Sequence, residues 1–232
     1  GTGLMLLLAS EQYGYHRDEL YFLTAGRHLD WGYVDQPSLT PALARLMSWL
    51  FGDSLVMLRL PSTLAAVAMV LLAGMLAREL GGGRSAQLVA AGCWAGAGLV
   101  LVTSHMLSTT TFDLLFAMVL SWLLLRWLNT RNQRLWLVMG AVLGIGLWNK
   151  YVLLLIAIGL IGGLLIAGPR DVLRTIWPYA GAGLALLIWL PNLVWQAVNG
   201  WPQLDMAGEI SSQGEFGGRL GAIPFQFLLV GP

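Results

Sequence analysis

The chain has 232 residues, of which 57% are hydrophobic and 11% charged, with a mean hydropathy of +0.70. A soluble domain carries about 25% charged residues, so this composition excludes an ordinary soluble protein and indicates an integral membrane protein. A net charge of +1 with dispersed basic residues leaves no footprint for nucleic acid, and a single cysteine, Cys93, excludes an intramolecular disulfide or a cysteine metal cluster.

The chain opens Gly1-Thr2-Gly3, and its first apolar run, residues 4–9, is too short to cross a bilayer, which takes roughly 20 residues. Residues 225–232 stop inside another apolar run. Both ends are expected to be partial spans, 1–9 and 222–232, of a longer protein. Residues 10–53 are too polar to span and are expected as a loop with two amphipathic helices, 17–29 and 40–51, lying in the interface plane. Tyr13, Tyr15, Tyr21, Trp31, Tyr33 and Trp49 suit that headgroup region.

Six complete spans are then expected, near 54–77, 86–103, 112–127, 135–148, 151–167 and 176–198. They lack period-2 alternation, so the bilayer selects helices rather than a barrel. A single helix over 135–167 would be about 50 Å long against a hydrocarbon core of about 30 Å. A hairpin turning at Asn149-Lys150 is therefore expected. Residues 199–221 form a second loop, and the whole chain reads as one membrane region. The fold class is all-α: a polytopic transmembrane helix bundle with interfacial amphipathic helices in its first loop.

The loop arginines orient this bundle. Arg78 and Arg84, Arg126, Arg131 and Arg134, and Arg170 and Arg174 occupy three loops that the hairpin puts on one side, cytoplasmic by the positive-inside rule. Only Glu79 and Asp171 join them. The other ten acids, Glu11, Asp18, Glu19, Asp30, Asp35, Asp53, Asp113, Asp205, Glu209 and Glu215, fall on or near the outer face. Chemistry is expected there.

Asp18-Glu19 is the leading candidate. A carboxylate there can take a proton from an acceptor hydroxyl as its oxygen attacks an activated sugar carbon; both acids would also favour the positive end of a helix. Asp113 opens a span behind three threonines, where an ionisable residue is usually functional or paired, although it could serve as a helix-start acid. Lys150, the only lysine, lies at the acid-rich end. As a compact point charge it suits a phosphate, or it snorkels to headgroups. Arg59, about one turn into the second span, is a second phosphate candidate; the alternative is an ion pair with Asp53 or another outer acid. Tyr15, His16, Gln36, Pro37, His105 and Asn149 are expected to line the substrate site, with loop shaping the alternative for Gln36 and Pro37. No complete metal-ligand set is evident, although carboxylates near a phosphate could hold a divalent cation.

The order of these features, from Asp18-Glu19 through Phe51-Gly52 and Arg59-Leu60-Pro61-Ser62 to Asp113 and Gly144-Ile145-Gly146-Leu147 before Lys150, resembles the GT-C membrane glycosyltransferases of the protein-O-mannosyltransferase and aminoarabinose-transferase kind. Residues 191–196 with Gly200-Trp201-Pro202 resemble bacterial members in particular. The resemblance implies an inverting transfer from a polyprenyl-phosphate-linked sugar to a hydroxyl acceptor (glycolipid, glycan or protein) at the outer face of a bacterial plasma membrane. Asp18 would be the base, Glu19 its neighbour, Asp113 a second acid, and Lys150 and Arg59 the donor-phosphate ligands. Where many relatives carry Lys-Pro-Pro-Leu, this chain has Gln36-Pro37-Ser38-Leu39. The rival class is a transporter or flippase of a lipid-linked sugar, which predicts deep polar residues and repeated halves.

Overall fold

The computed structural model describes residues 1–10, 12 and 14–213. The partial span expected at 222–232, and Glu11, Tyr13 and Glu215, lie outside the described residues. Within them the chain forms α1 (Thr2–Ala9), α2 (Arg17–Arg27), α3 (Leu39–Phe51), α4 (Leu55–Glu79), α5 (Arg84–Gly96), α6 (Gly98–Ser104), α7 (Thr109–Thr130), α8 (Leu135–Leu147), α9 (Val152–Ala167), α10 (Trp177–Val198) and α11 (Pro202–Gln213), with a 3-10 turn at Arg170–Arg174. The fold is all-α and polytopic, as expected.

Three helices, α4, α7 and α10, are long and apolar enough to cross a membrane. The run expected as one span over 86–103 is instead α5 and α6, bent by 54°. The break falls at Ala97, whose extended backbone (φ −65°, ψ 121°) interrupts the helical ladder. Counted as one broken span, the pair makes a fourth. The run over 135–167 divides at 148–151, where a turn was expected, into α8 and α9. These have 13 and 16 residues, rising about 20 and 24 Å against a hydrocarbon core of about 30 Å. Both keep the bounds expected for them to within one residue.

Small residues set the closest helix approach. A Cβ on Gly140 of α8 would overlap the Gly181 carbonyl of α10, and one on Gly181 would overlap the Trp136 carbonyl. Gly at both positions lets two backbones touch, the usual way membrane helices gain packing contacts. α1 lies along α4, with Leu6 buried in the cluster that holds Ala66 and Met69.

The bundle has two unlike ends. At one, Glu79 of α4 accepts hydrogen bonds from Arg126 Nη1 (3.1 Å) and Asn129 Nδ2 (2.8 Å) of α7. Trp127 packs edge-on to Trp136 at 5.3 Å, and Val172 of the 3-10 turn belongs to the same apolar cluster. The three arginine-bearing loops thus gather at this end. The opposite end carries α2 and α3. These two helices cross tightly, because a Cβ on Gly26 would meet Pro41 O at 2.8 Å and Arg45 N at 3.2 Å.

Candidate active site

The site is built on the first turn of α2. His16 caps the helix: its Nδ1 accepts from the Asp18 N–H (3.3 Å), and Glu19 Oε2 accepts from the His16 N–H (2.8 Å). This reciprocal arrangement satisfies N-terminal amides that a helix leaves unpaired. Successive helical residues point about 100° apart, so the two adjacent acids meet different surroundings. Glu19 is fully buried (0% exposed), whereas the Asp18 side chain is 50% exposed and rests beside Arg17 Nε at 3.3 Å.

Glu19 is held by a dense set of donors. Arg59 of α4 gives it Nε to Oε1 (2.8 Å) and Nη2 to Oε2 (2.7 Å), a bidentate pair. The Leu107 N–H adds a bond to Oε1 (3.0 Å). Burial acts to raise the Glu19 pKa, but the Arg59 guanidinium and the His16 and Leu107 amides outweigh it and hold the carboxyl below its ordinary range. Arg59 also donates to Ser10 O (2.7 Å) and Gly14 O (3.0 Å). Its guanidinium ties Ser10 at the end of α1, Gly14 and α2 to α4.

The geometry gives Arg59, expected as a phosphate ligand or as the partner of an acid, a carboxylate partner. The side chain is 2% exposed and is spent on Glu19 and backbone carbonyls. The ion pair with an outer-face acid, the alternative reading of the sequence, is the one formed. The acid is Glu19 rather than Asp53. Both partners are buried, so the pair fixes the position of α2 and leaves Asp18 as the accessible acid of the two.

A second cluster lies at the same end. Asp113, on the second turn of α7, is buried, and its Oδ1 accepts from Asn149 Nδ2 (2.6 Å). The same Asn149 nitrogen donates to Thr109 O (2.8 Å), while Asn149 Oδ1 accepts from Thr40 Oγ1 of α3 (2.8 Å). The α3 N-terminus is further tied to the α8–α9 turn by Leu39 N–H to Trp148 O (2.8 Å). Lys150 is exposed on that turn, next to Asn149.

The two clusters meet on one short segment. Glu19 binds the chain at Leu107, and Asn149 binds it at Thr109 and Asp113. Ser108, between them, caps α7 by accepting from the Thr110 N–H (3.2 Å). Residues 107–113 thus connect the Asp18-Glu19 turn to the Asp113–Asn149–Lys150 turn.

The remaining candidates serve mainly the loop. Tyr15 is exposed and donates to Asp53 O (2.9 Å). Gln36 and Pro37 are buried within the 28–38 loop. His105 is half-buried, its Nδ1 2.6 Å from Val102 O. Among the described residues no three His, Cys, Asp or Glu side chains gather as a metal site.

Several connections had no signal in the sequence. Asn192 of α10, fully buried, donates Nδ2 to Trp31 O (2.7 Å) and accepts from Tyr151 Oη (2.5 Å) and Trp189 Nε1 (3.2 Å). Gly32 lies against it so closely that a Cβ would come 2.9 Å from Asn192 Nδ2. Tyr21 Oη donates to Asp35 Oδ1 (2.7 Å). Burial, and then the Asp35 carboxylate, push the Tyr21 phenol above its ordinary pKa. Thr40 and Asn192 are one-residue polar features whose partners lie far away in sequence, so only the fold could reveal them.

No curated protein and no solved structure matches the chain. A family model does: dolichyl-phosphate-mannose-protein mannosyltransferase, over residues 35–195. That stretch carries α3 to most of α10, including Arg59, Asp113, Asn149 and Lys150. With an all-α membrane bundle and a match over more than half its length, the chain belongs to the dolichyl-phosphate-mannose-protein mannosyltransferase family of GT-C membrane glycosyltransferases.

Proposed function

We propose that the protein is an inverting glycosyltransferase that moves a sugar from a polyprenyl-phosphate donor to a hydroxyl acceptor at the outer face of the membrane. Asp18 takes the proton of the acceptor hydroxyl as its oxygen attacks the anomeric carbon. The bond from that carbon to the phosphate oxygen breaks, and the polyprenyl phosphate leaves with the electron pair. Lys150, exposed on the α8–α9 turn, stabilises the charge that develops on the leaving phosphate. Asn149 and Asp113 hold that turn in place.

The observation that carries this reading is the contrast within the acidic pair. Glu19 is buried against Arg59 and fixes the turn, while the half-exposed Asp18 remains able to meet an acceptor. In this reading Glu19 and Arg59 are positioning residues. The family match supports a lipid-linked sugar as donor.

The test is sugar transfer from a polyprenyl-phosphate sugar by purified protein in nanodiscs. Asp18→Asn lowers turnover by about 10²–10⁴-fold, the usual contribution of a general base, while folded protein in the membrane is unchanged. Near-normal turnover in that variant removes Asp18 from the mechanism. Lipid movement without any glycosylated product favours the flippase instead.

A further inference from the structure

A concave site between α2 and α3 takes no part in the reaction above. Its volume is about 190 Å³, and it is lined by Leu23, Arg27, Arg45, Ser48 and Asp53. Helical spacing explains the convergence. Leu23 and Arg27 lie four apart on α2, and Arg45 and Ser48 three apart on α3, so each pair shares a face. The Gly26 contact with Pro41 and Arg45 fixes both backbones beneath the two guanidinium groups.

Both arginines are exposed, and among the described residues neither forms an ion pair with a carboxylate. Asp53 is the one acid in the lining, so two arginines and one aspartate leave a single formal positive charge. The Ser48 hydroxyl donates to Ala44 O (2.9 Å), which leaves anion recognition to the guanidiniums. Planar guanidinium forks suit phosphate oxygens.

The flank of the site is apolar. Leu46, Trp49, Leu50 and Phe51 of α3 are all exposed, and such a rim belongs in the headgroup region of a bilayer. The site is also turned away from Asn149 and Lys150. Thr40, which reaches Asn149, precedes Arg45 by five residues on α3, a rotation of about 140° around the helix.

We propose that Arg27 and Arg45 seat the phosphodiester headgroup of a bilayer phospholipid, and that this contact fixes the depth of α2 and α3 in the membrane interface. One net positive charge matches the single negative charge of a phosphodiester, and the exposed apolar rim meets the chains below it. The inference is independent of the transfer reading, because its readout is lipid retention.

The experiment is native mass spectrometry of the purified chain released from micelles doped with phosphatidylglycerol or with diacylglycerol. Phosphatidylglycerol remains bound to the wild type and is lost by about tenfold in R27Q/R45Q, equivalent to about 1.4 kcal/mol; diacylglycerol is not retained. Both arginines are exposed, so the substitutions should leave folding nearly unchanged. Asp53→Asn supplies a second arm: it raises the local charge and increases phosphatidylglycerol retention. Equal retention by wild type and R27Q/R45Q, or retention of diacylglycerol equal to that of phosphatidylglycerol, overturns the proposal. So does displacement of the lipid by millimolar inorganic phosphate, which would make the site one for free phosphate, or unchanged retention in Asp53→Asn.

Discussion

The two ends of the bundle solve the same problem, joining helices across a polar surface, by different means. At the arginine-rich end the ion pair Arg126–Glu79 has a half-exposed arginine. Packing there rests on the edge-on contact of Trp127 with Trp136 and the apolar cluster around them. At the α2–α3 end the polar groups go inside. Arg59–Glu19 and Asp113–Asn149–Thr40 are buried and bonded to one another or to backbone. Burying a charge is costly unless it is paired and hydrogen-bonded. A chain that concentrates such groups at one end is using them to hold a shape that apolar packing alone does not specify, and that end is where the accessible Asp18 and Lys150 sit.

This contrast can be broken by experiment. The largest effect falls on the buried pair: Arg59→Ala leaves Glu19 charged and unpaired and costs about 3–5 kcal/mol, read as a lower midpoint of thermal unfolding in detergent. A loss no larger than that of a surface variant would mean the pair is not the tie described here.

Acid should expose the same pair without a mutation. Glu19 has a depressed folded-state pKa. Its contribution is therefore fully present above the ordinary glutamate value and is lost as pH falls through the lower, folded value. Unfolding of the wild type followed from neutral to acidic pH should show this loss, and Glu19→Gln should flatten that part of the profile. An unchanged profile in Glu19→Gln would assign the acid sensitivity to other groups.

At the opposite end the vulnerable point is steric. Gly140→Ala drives a methyl into the Gly181 carbonyl and should cost about 1–3 kcal/mol as overpacking, measured by the same thermal unfolding. The smallest effect belongs to Arg126→Ala. Its half-exposed pair with Glu79 is worth about 0–1 kcal/mol, so its midpoint should barely move. A loss from Arg126→Ala rivalling that from Arg59→Ala would erase the distinction between the two ends.

Much of this architecture was legible in the sequence. Apolar runs marked α1 and the stretches that hold α4 to α10, though not α11, which forms within the expected 199–221 loop, and the length of the 135–167 run required the turn at Asn149-Lys150. Loop arginines marked one end, and amphipathic spacing marked α2 and α3. What was not legible was the break between α5 and α6. Ala97 is as apolar as its neighbours, so its break could not be read from hydropathy. By contrast α8 and α9 keep their expected bounds to within one residue.

The same division holds at the site. Composition, periodicity and charge placement by themselves determined a helical membrane protein, two amphipathic helices ahead of its long apolar runs, and an acidic pair and a lone lysine at the same end. These properties are local and follow from transfer of side chains between water and lipid. The tertiary structure alone decided which acid of the pair is buried, that Arg59 pairs with Glu19, and that residues 107–113 join the two polar clusters. Those partners lie 36 to 88 residues apart in the chain. A buried charge chooses its partner by geometry, and that geometry exists only once the helices have packed.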